Sequence, residues 1–127
     1  MIALDTSALM AIALGEKGAD ACIAALEAEN HVLISAGTVA EALIVSAQRN
    51  VTEEVATLIE GLGLEVVSVT LGGAQRIAQA YARWGKGSKR AALNFGDCFA
   101  YDVAKENACR LLYVGRDFTK TDIESVL

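Results

Sequence analysis

The sequence holds one histidine, three cysteines, no proline and no apolar run of membrane-spanning length. A lone His31 leaves no histidine pair for acid–base catalysis, and beside an apolar segment it reads as a strand-edge residue. Cys22, Cys98 and Cys109 are odd in number and lack any C-x-x-C or Cys/His ligand spacing. They signal neither a disulfide framework nor a zinc site and read as reduced thiols, mostly in the core. Charges or glycines interrupt the apolar residues every few positions, and the N-terminus lacks the basic flank of a signal peptide. A soluble, cytoplasmic protein with no membrane partner is expected. Positive charge is also scarce: eleven Lys and Arg against sixteen Asp and Glu give a net charge of −5. This argues against a general electrostatic nucleic-acid binder. It leaves room for an enzyme that holds nucleic acid through metal ions and one basic edge, and Arg83, Lys86, Lys89 and Arg90, with Trp84 among them, read equally as such an edge or as a solvated loop.

What is present is apolar material in short, punctuated segments. With 127 residues, 54% of them hydrophobic, the chain can bury one substantial core, so residues 1–127 are expected to form a single domain. Met1–Asp5 reads as a short buried strand, followed by helical patterning over Ser7–Leu14 and, past Gly15, over Lys17–Glu29. His31–Ser35 suits a second strand. Ser35 can cap a helix to Arg49, Thr52 another to Glu60, and Thr70 a third to about Trp84, after a strand at Leu64–Val69. Gly85–Ser88 is a loop, Asn94 can cap a helix to about Asn107, and Arg110–Val114 is the fourth strand. The alternation predicts an α/β three-layer sandwich, a short, mainly parallel sheet flanked by helices.

Against this map three carboxylates stand out by isolation. Asp5 is the only charged residue in Met1–Gly15, Glu41 the only one in Val32–Gln48, and Asp97 the only one in Ala91–Tyr101. Acidic side chains are rarely fully buried without a partner, and these stretches contain no Lys or Arg to serve as one. Asp5 falls at the carboxyl end of strand one, where open α/β sheets place their ligand crevices. Glu41 falls on the helix after strand two and Asp97 on the first turn of the helix before strand four. Asp117, in Gly-Arg-Asp-Phe, follows strand four. Four acids at one sheet edge repel one another unless protonated or metal-bound, and an all-oxygen donor set suits Mg²⁺ or Mn²⁺.

Other chemistry fits individual residues. Asp5 can cap the following helix, although Thr6 and Ser7 are also available, and Asp97 sits where it would close a capping box with Asn94. Asp117 in a glycine-containing turn is ordinary turn chemistry. A non-enzymatic α/β interaction module would use the acids only in this way. A phosphoryl-transfer domain of the receiver or aspartate-phosphatase kind also places Asp after strand one, but such sites usually need a second acid close by, and here Thr6, Ser7 and Ala8 follow.

Four segments in order carry a resemblance: the opening Met-Ile-Ala-Leu-Asp-Thr-Ser-Ala-Leu, Ser35–Leu43 with Glu41, Tyr81–Lys105 with Gly-Lys-Gly and Leu-Asn-Phe-Gly-Asp-Cys-Phe-Ala-Tyr, and Gly115–Ile123. Together they resemble the PIN-domain ribonucleases and, within them, the VapC toxins of bacterial type II toxin–antitoxin modules. The resemblance implies a PIN-like fold and a metal-dependent endoribonuclease using Mg²⁺ or Mn²⁺. It implies an acidic site of Asp5, Glu41, Asp97 and Asp117, with Asp5 and Asp97 the direct metal ligands and Asp122 competing with Asp117 for the fourth place. Ser7 or Thr6 would support a ligand or a water, and Asn94 would orient the site. RNA would be the substrate, with Lys86, Lys89 and Arg90 contacting it. A VapB-type antitoxin and a homodimer are the implied partners. One departure stands in the loop before Asp97: Ser88-Lys89-Arg90-Ala91 replaces the His-Pro-Ala that related toxins tend to carry after Gly-Lys-Gly.

Overall fold

The computed structural model describes residues 1–88 and 90–127; Lys89, one of the expected RNA contacts, lies outside the described residues. Among the described residues four strands, β1 (Ile2–Leu4), β2 (Val32–Ser35), β3 (Glu65–Val67) and β4 (Arg110–Leu112), form one parallel sheet in the order β3-β2-β1-β4. Ile2 pairs with Val32 on one side and Arg110 on the other. The central strands are apolar except for Ser35 and buried on both faces, as parallel strands covered by helices must be.

Among the described residues six helices cover the sheet: α1 (Thr6–Leu14), α2 (Ala19–Glu27), α3 (Ala36–Gln48), α4 (Thr52–Gly61), α5 (Leu71–Trp84) and α6 (Phe95–Glu106). Alternation along the strands divides the core in two. Ala3, Leu33 and Leu111 point to α5 and α6, packing with Ile77, Trp84, Cys98, Val103 and Phe118. Ile2, Leu4, Val32, Ile34 and Leu112 point to the opposite layer with Leu9, Cys22, Leu26, Ala42 and Val55. This is the expected three-layer sandwich. Cys22 and Cys98 are buried and Cys109 is partly so, all as free thiols.

Local chemistry sets most boundaries. The Oγ of Ser35 accepts from Gly37 N at 3.2 Å, and the Oγ1 of Thr70 from Gly73 N at 3.1 Å, each satisfying an otherwise orphaned helix donor. Gly15, at φ 63°, ends α1 in the left-handed region. Thr52 does not cap α4 as expected: it is the first helical residue, and Val51 occupies the cap position with no side-chain hydrogen bond. Acids at Glu53 and Glu54 complement that helix end through its dipole instead. The third strand is shorter than its β-branched run suggests, because β3 lies at the sheet edge with Glu65 and Val66 exposed.

Successive connections run outward from β1 through β2 to β3, and the chain then crosses back to place β4 on the other side of β1. The resulting crevice at the carboxyl ends of β1 and β4 is where such sheets bind ligands.

Candidate functional site

Asp5 leaves β1 directly into that crevice. Its backbone N donates to Leu112 O at 3.0 Å, which fixes it beside β4, and it is the N-cap of α1. The Oδ2 atom accepts from Ser7 N at 3.0 Å and from Ser7 Oγ at 2.6 Å. Ser7 Oγ in turn accepts from Val114 N at 3.0 Å, so the serine ties the start of α1 to the segment after β4. The other carboxylate oxygen, Oδ1, is buried and has no hydrogen-bond partner. Capping therefore accounts for half of this carboxylate.

Asp97 shows the same division of labour. Asn94 Oδ1 accepts from Asp97 N at 2.8 Å while Asp97 Oδ2 accepts from Asn94 N at 2.9 Å, a complete capping box at the start of α6. Because α6 leads into the amino end of β4 in a parallel sheet, its first turn lies toward the carboxyl ends of the strands. Asp97 is 6% exposed, its charge close enough to feel those of Asp5, Asp117 and Glu41.

Glu41, one turn into α3, accepts a hydrogen bond from Thr6 Oγ1 at 2.6 Å. Gly96 makes room for it: a Cβ at that position would collide with the Glu41 carboxylate. This residue escapes sequence reasoning because a glycine in a first helical turn carries no chemical signal of its own. Asp117 sits in the exposed turn after β4, anchored by the buried Phe118 ring against Tyr113 at 5.0 Å.

Asp122 goes elsewhere. It accepts from Tyr101 Oη at 2.6 Å and Lys105 Nζ at 3.2 Å, and Tyr101 also accepts from Trp84 Nε1 at 3.1 Å. Trp84, flanked in sequence by the basic residues, is buried with Arg83 over its ring at 4.6 Å. Lys86 and Arg90 are exposed on the loop between α5 and α6 that leads into Asn94.

The electrostatics separate these acids. Burial pushes the Asp5 carboxyl up from 3.8 to about 6 despite the Ser7 bonds, with Glu41 adding to the rise. Burial likewise pushes Asp97 up to about 7 against the Asn94 bond, and Asp5, Asp117 and Glu41 each push further. For Asp122, burial is outweighed by the Tyr101 and Lys105 hydrogen bonds, and its carboxyl is held below the usual value. The site thus contains a buried, unpaired carboxylate oxygen and several acids whose charges oppose one another. That donor chemistry fits a hard divalent cation. Among the described residues no three His, Cys, Asp or Glu side chains form a cage by themselves. Mg²⁺ needs none, because it keeps several waters and binds through one or two carboxylates.

A parallel sheet with carboxylates gathered at its carboxyl edge is the arrangement of a PIN domain, and the PIN-domain family matches residues 2–124. Ribonuclease VapC36 of Mycobacterium tuberculosis is 44% identical over 126 residues, covering 95% of this chain and 90% of that protein. The chain belongs to the PIN-domain family and, within it, to the VapC ribonucleases. Among solved structures, the sarcin–ricin loop cleaving toxin VapC20 of Mycobacterium tuberculosis superposes with a TM-score of 0.82 at 16% identity, covering 99% of this chain and 98% of that one. A toxin–antitoxin complex from Klebsiella pneumoniae matches with a TM-score of 0.70 at 16% identity over 96% of this chain and 93% of that one. At such identities the structural likeness concerns the fold.

Proposed function

We propose that this protein is a metal-dependent endoribonuclease that acts in the cytoplasm as the toxin of a VapBC-type pair, hydrolysing phosphodiester bonds of single-stranded or loop RNA. The observation that carries the reading is the buried, unpartnered Oδ1 of Asp5 among the charges of Glu41 and Asp97. Asp5 and Asp97 hold the cation, Mg²⁺ or Mn²⁺, which when bound supplies charge neutralisation at the phosphate and activation of a water. Ser7 and Asn94 each fix one oxygen of these ligands and leave the remaining oxygens for the cation. Thr6 aims Glu41, and either Glu41 or Asp117 orients or deprotonates the attacking water. Lys86, Lys89 and Arg90 hold the RNA backbone. A cognate VapB-type antitoxin and a second copy of the chain are the protein partners.

Purified protein should cleave single-stranded RNA with Mg²⁺ or Mn²⁺ and lose cleavage in chelator. Cleavage that persists in EDTA with both Asp5→Asn and Asp97→Asn introduced would overturn the assignment. In cells, wild type should arrest growth unless its neighbouring antitoxin is present, and Glu41→Gln should be tolerated without it. Equal arrest by both would show that any toxicity is not catalytic.

A further inference from the structure

Beside the acidic site lies a cavity of about 440 Å³ whose walls are two loops distant in sequence. One wall is the α5–α6 loop, with Ser88 and Arg90; the other is the turn after β4, with Arg116, Asp117, Thr119 and Lys120. Arg116 and Lys120 belong to no basic run and nothing in their sequence neighbourhood marks them. In a chain with a net charge of −5, three cations are taken by acids, Arg76 by Asp102 at 2.8 Å, Lys105 by Asp122 at 3.2 Å and Arg110 by Glu29 at 4.0 Å. Among the described residues, Arg90, Arg116 and Lys120 form no ion pair.

Hydrogen bonds tie described residues of both walls. Ser88 Oγ donates to Arg83 O at 3.0 Å and accepts from Arg90 N at 3.0 Å, while Lys86 N donates to Leu93 O at 2.9 Å. Opposite, Arg116 O accepts from Thr119 N and Thr119 Oγ1 at 3.1 and 2.8 Å, and Phe118, 1% exposed, pins the turn to the core. Arg90, Arg116 and Lys120 thus line one cleft, and Asp117 connects that cleft to the acids.

The geometry points to this cleft as a subsite for the RNA backbone: Arg90 on one wall and Arg116 and Lys120 on the other bind phosphates that flank the scissile one. The inference rests on the ribonuclease reading and adds where the strand runs. The cavity lies within the roughly 300–1,000 Å³ of ordinary ligand pockets. Among the described residues no aromatic ring lines it, so they offer charge and hydroxyls to phosphate and sugar and no stacking platform for a base. The subsite therefore sets register along the strand and leaves sequence choice to other contacts.

The test is binding of a labelled single-stranded RNA oligonucleotide, measured by fluorescence anisotropy across a salt series in EDTA so that no cleavage intervenes. Arg116→Ser/Lys120→Ser should weaken binding roughly tenfold and lower the salt slope by about 0.7 per lost phosphate contact. Arg49→Ser/Arg110→Ser, with the same loss of charge away from the cleft, should change neither. Lys120→Gln alone should give about half the change in slope, and matching melting curves would verify the fold of each variant. An unchanged slope in the cleft variant, or an equal fall in the control, overturns the subsite. If wild type still cleaves RNA with Mn²⁺, the ribonuclease reading survives that result; wild type that neither binds nor cleaves RNA overturns both.

Discussion

The two ends of the sheet treat charge in opposite ways. At the amino end, the Met1 ammonium meets Glu29 at 2.9 Å, Arg110 approaches the same carboxylate at 4.0 Å, and Lys105 meets Asp122 at 3.2 Å. At the carboxyl end Asp5, Glu41, Asp97 and Asp117 face one another, and the described ion pairs include none of them. The contrast appears in Asp side chains of identical chemistry: the pKa of Asp122 is lowered, while those of Asp5 and Asp97 are raised. Paired charges at the amino end secure the fold. Opposed charges at the carboxyl end weaken it, and such weakening persists where a ligand relieves it.

The largest expected effect comes from breaking the carboxyl end. Asp5→Asn or Asp97→Asn should reduce Mn²⁺-dependent RNA cleavage by roughly a thousandfold or more, because bound metal contributes several kcal/mol to such reactions. Asp122→Asn should leave cleavage within a few-fold of wild type. Initial rates on one RNA substrate check both. Equal losses at the two ends would erase the distinction.

A smaller effect tests the packing that aims Glu41. Gly96→Ala puts a methyl group where the Glu41 carboxylate lies. The glutamate is the flexible partner and should swing away from Thr6, lowering activity by roughly 10- to 100-fold with little change in melting temperature. Loss of stability without loss of activity would make Gly96 a packing residue only.

The third effect is a pH dependence of opposite sign at the two ends. Asp5 and Asp97 titrate near 6 and 7 in the fold, against 3.8 ordinarily. The folded state thus binds more protons than the unfolded chain, and their contribution to stability is present below about pH 4 and lost as pH rises to about 7. Denaturant melts in chelator should show wild type weakening over that window by on the order of 2 kcal/mol, and Asp97→Asn flattening the decline. Asp122, with its pKa lowered, stabilises above the ordinary carboxylate value and loses that contribution as pH falls. Asp122→Asn should cost about 0.5–1.5 kcal/mol near neutral pH, the range for a hydrogen-bonded, partly exposed ion pair.

Much of this contrast was legible in the sequence, unevenly. Isolation in apolar surroundings picks out Asp5, Glu41 and Asp97, and capping residues such as Ser35, Thr70 and Asn94 set helix starts, because both signals are local. Pairing across the fold leaves no such trace. The Ser7 link to Val114 joins positions 107 residues apart, and the Tyr101 and Lys105 bonds that separate Asp122 from Asp117 depend on how α6 docks. Arg116 and Lys120 become a charged wall only when the turn after β4 folds against the α5–α6 loop. Asp5 and Asp97 also show that helix capping and a place in an acidic site are compatible, since each carboxylate has two oxygens.

Denaturant melts of wild type and Asp97→Asn at pH 7.5, with chelator and with saturating Mn²⁺, test the claim most directly. Asparagine keeps an acceptor oxygen for the Asn94 N–H but removes one of the opposed charges. Without metal the variant should be as stable as wild type or up to ~1 kcal/mol more so. Saturating Mn²⁺ should stabilise wild type and the variant much less, because only an ion that prefers the folded site shifts the equilibrium. A loss of roughly 0.3–1 kcal/mol in the variant with or without metal, and no Mn²⁺ effect on wild type, would make Asp97 a helix cap alone and contradict the account.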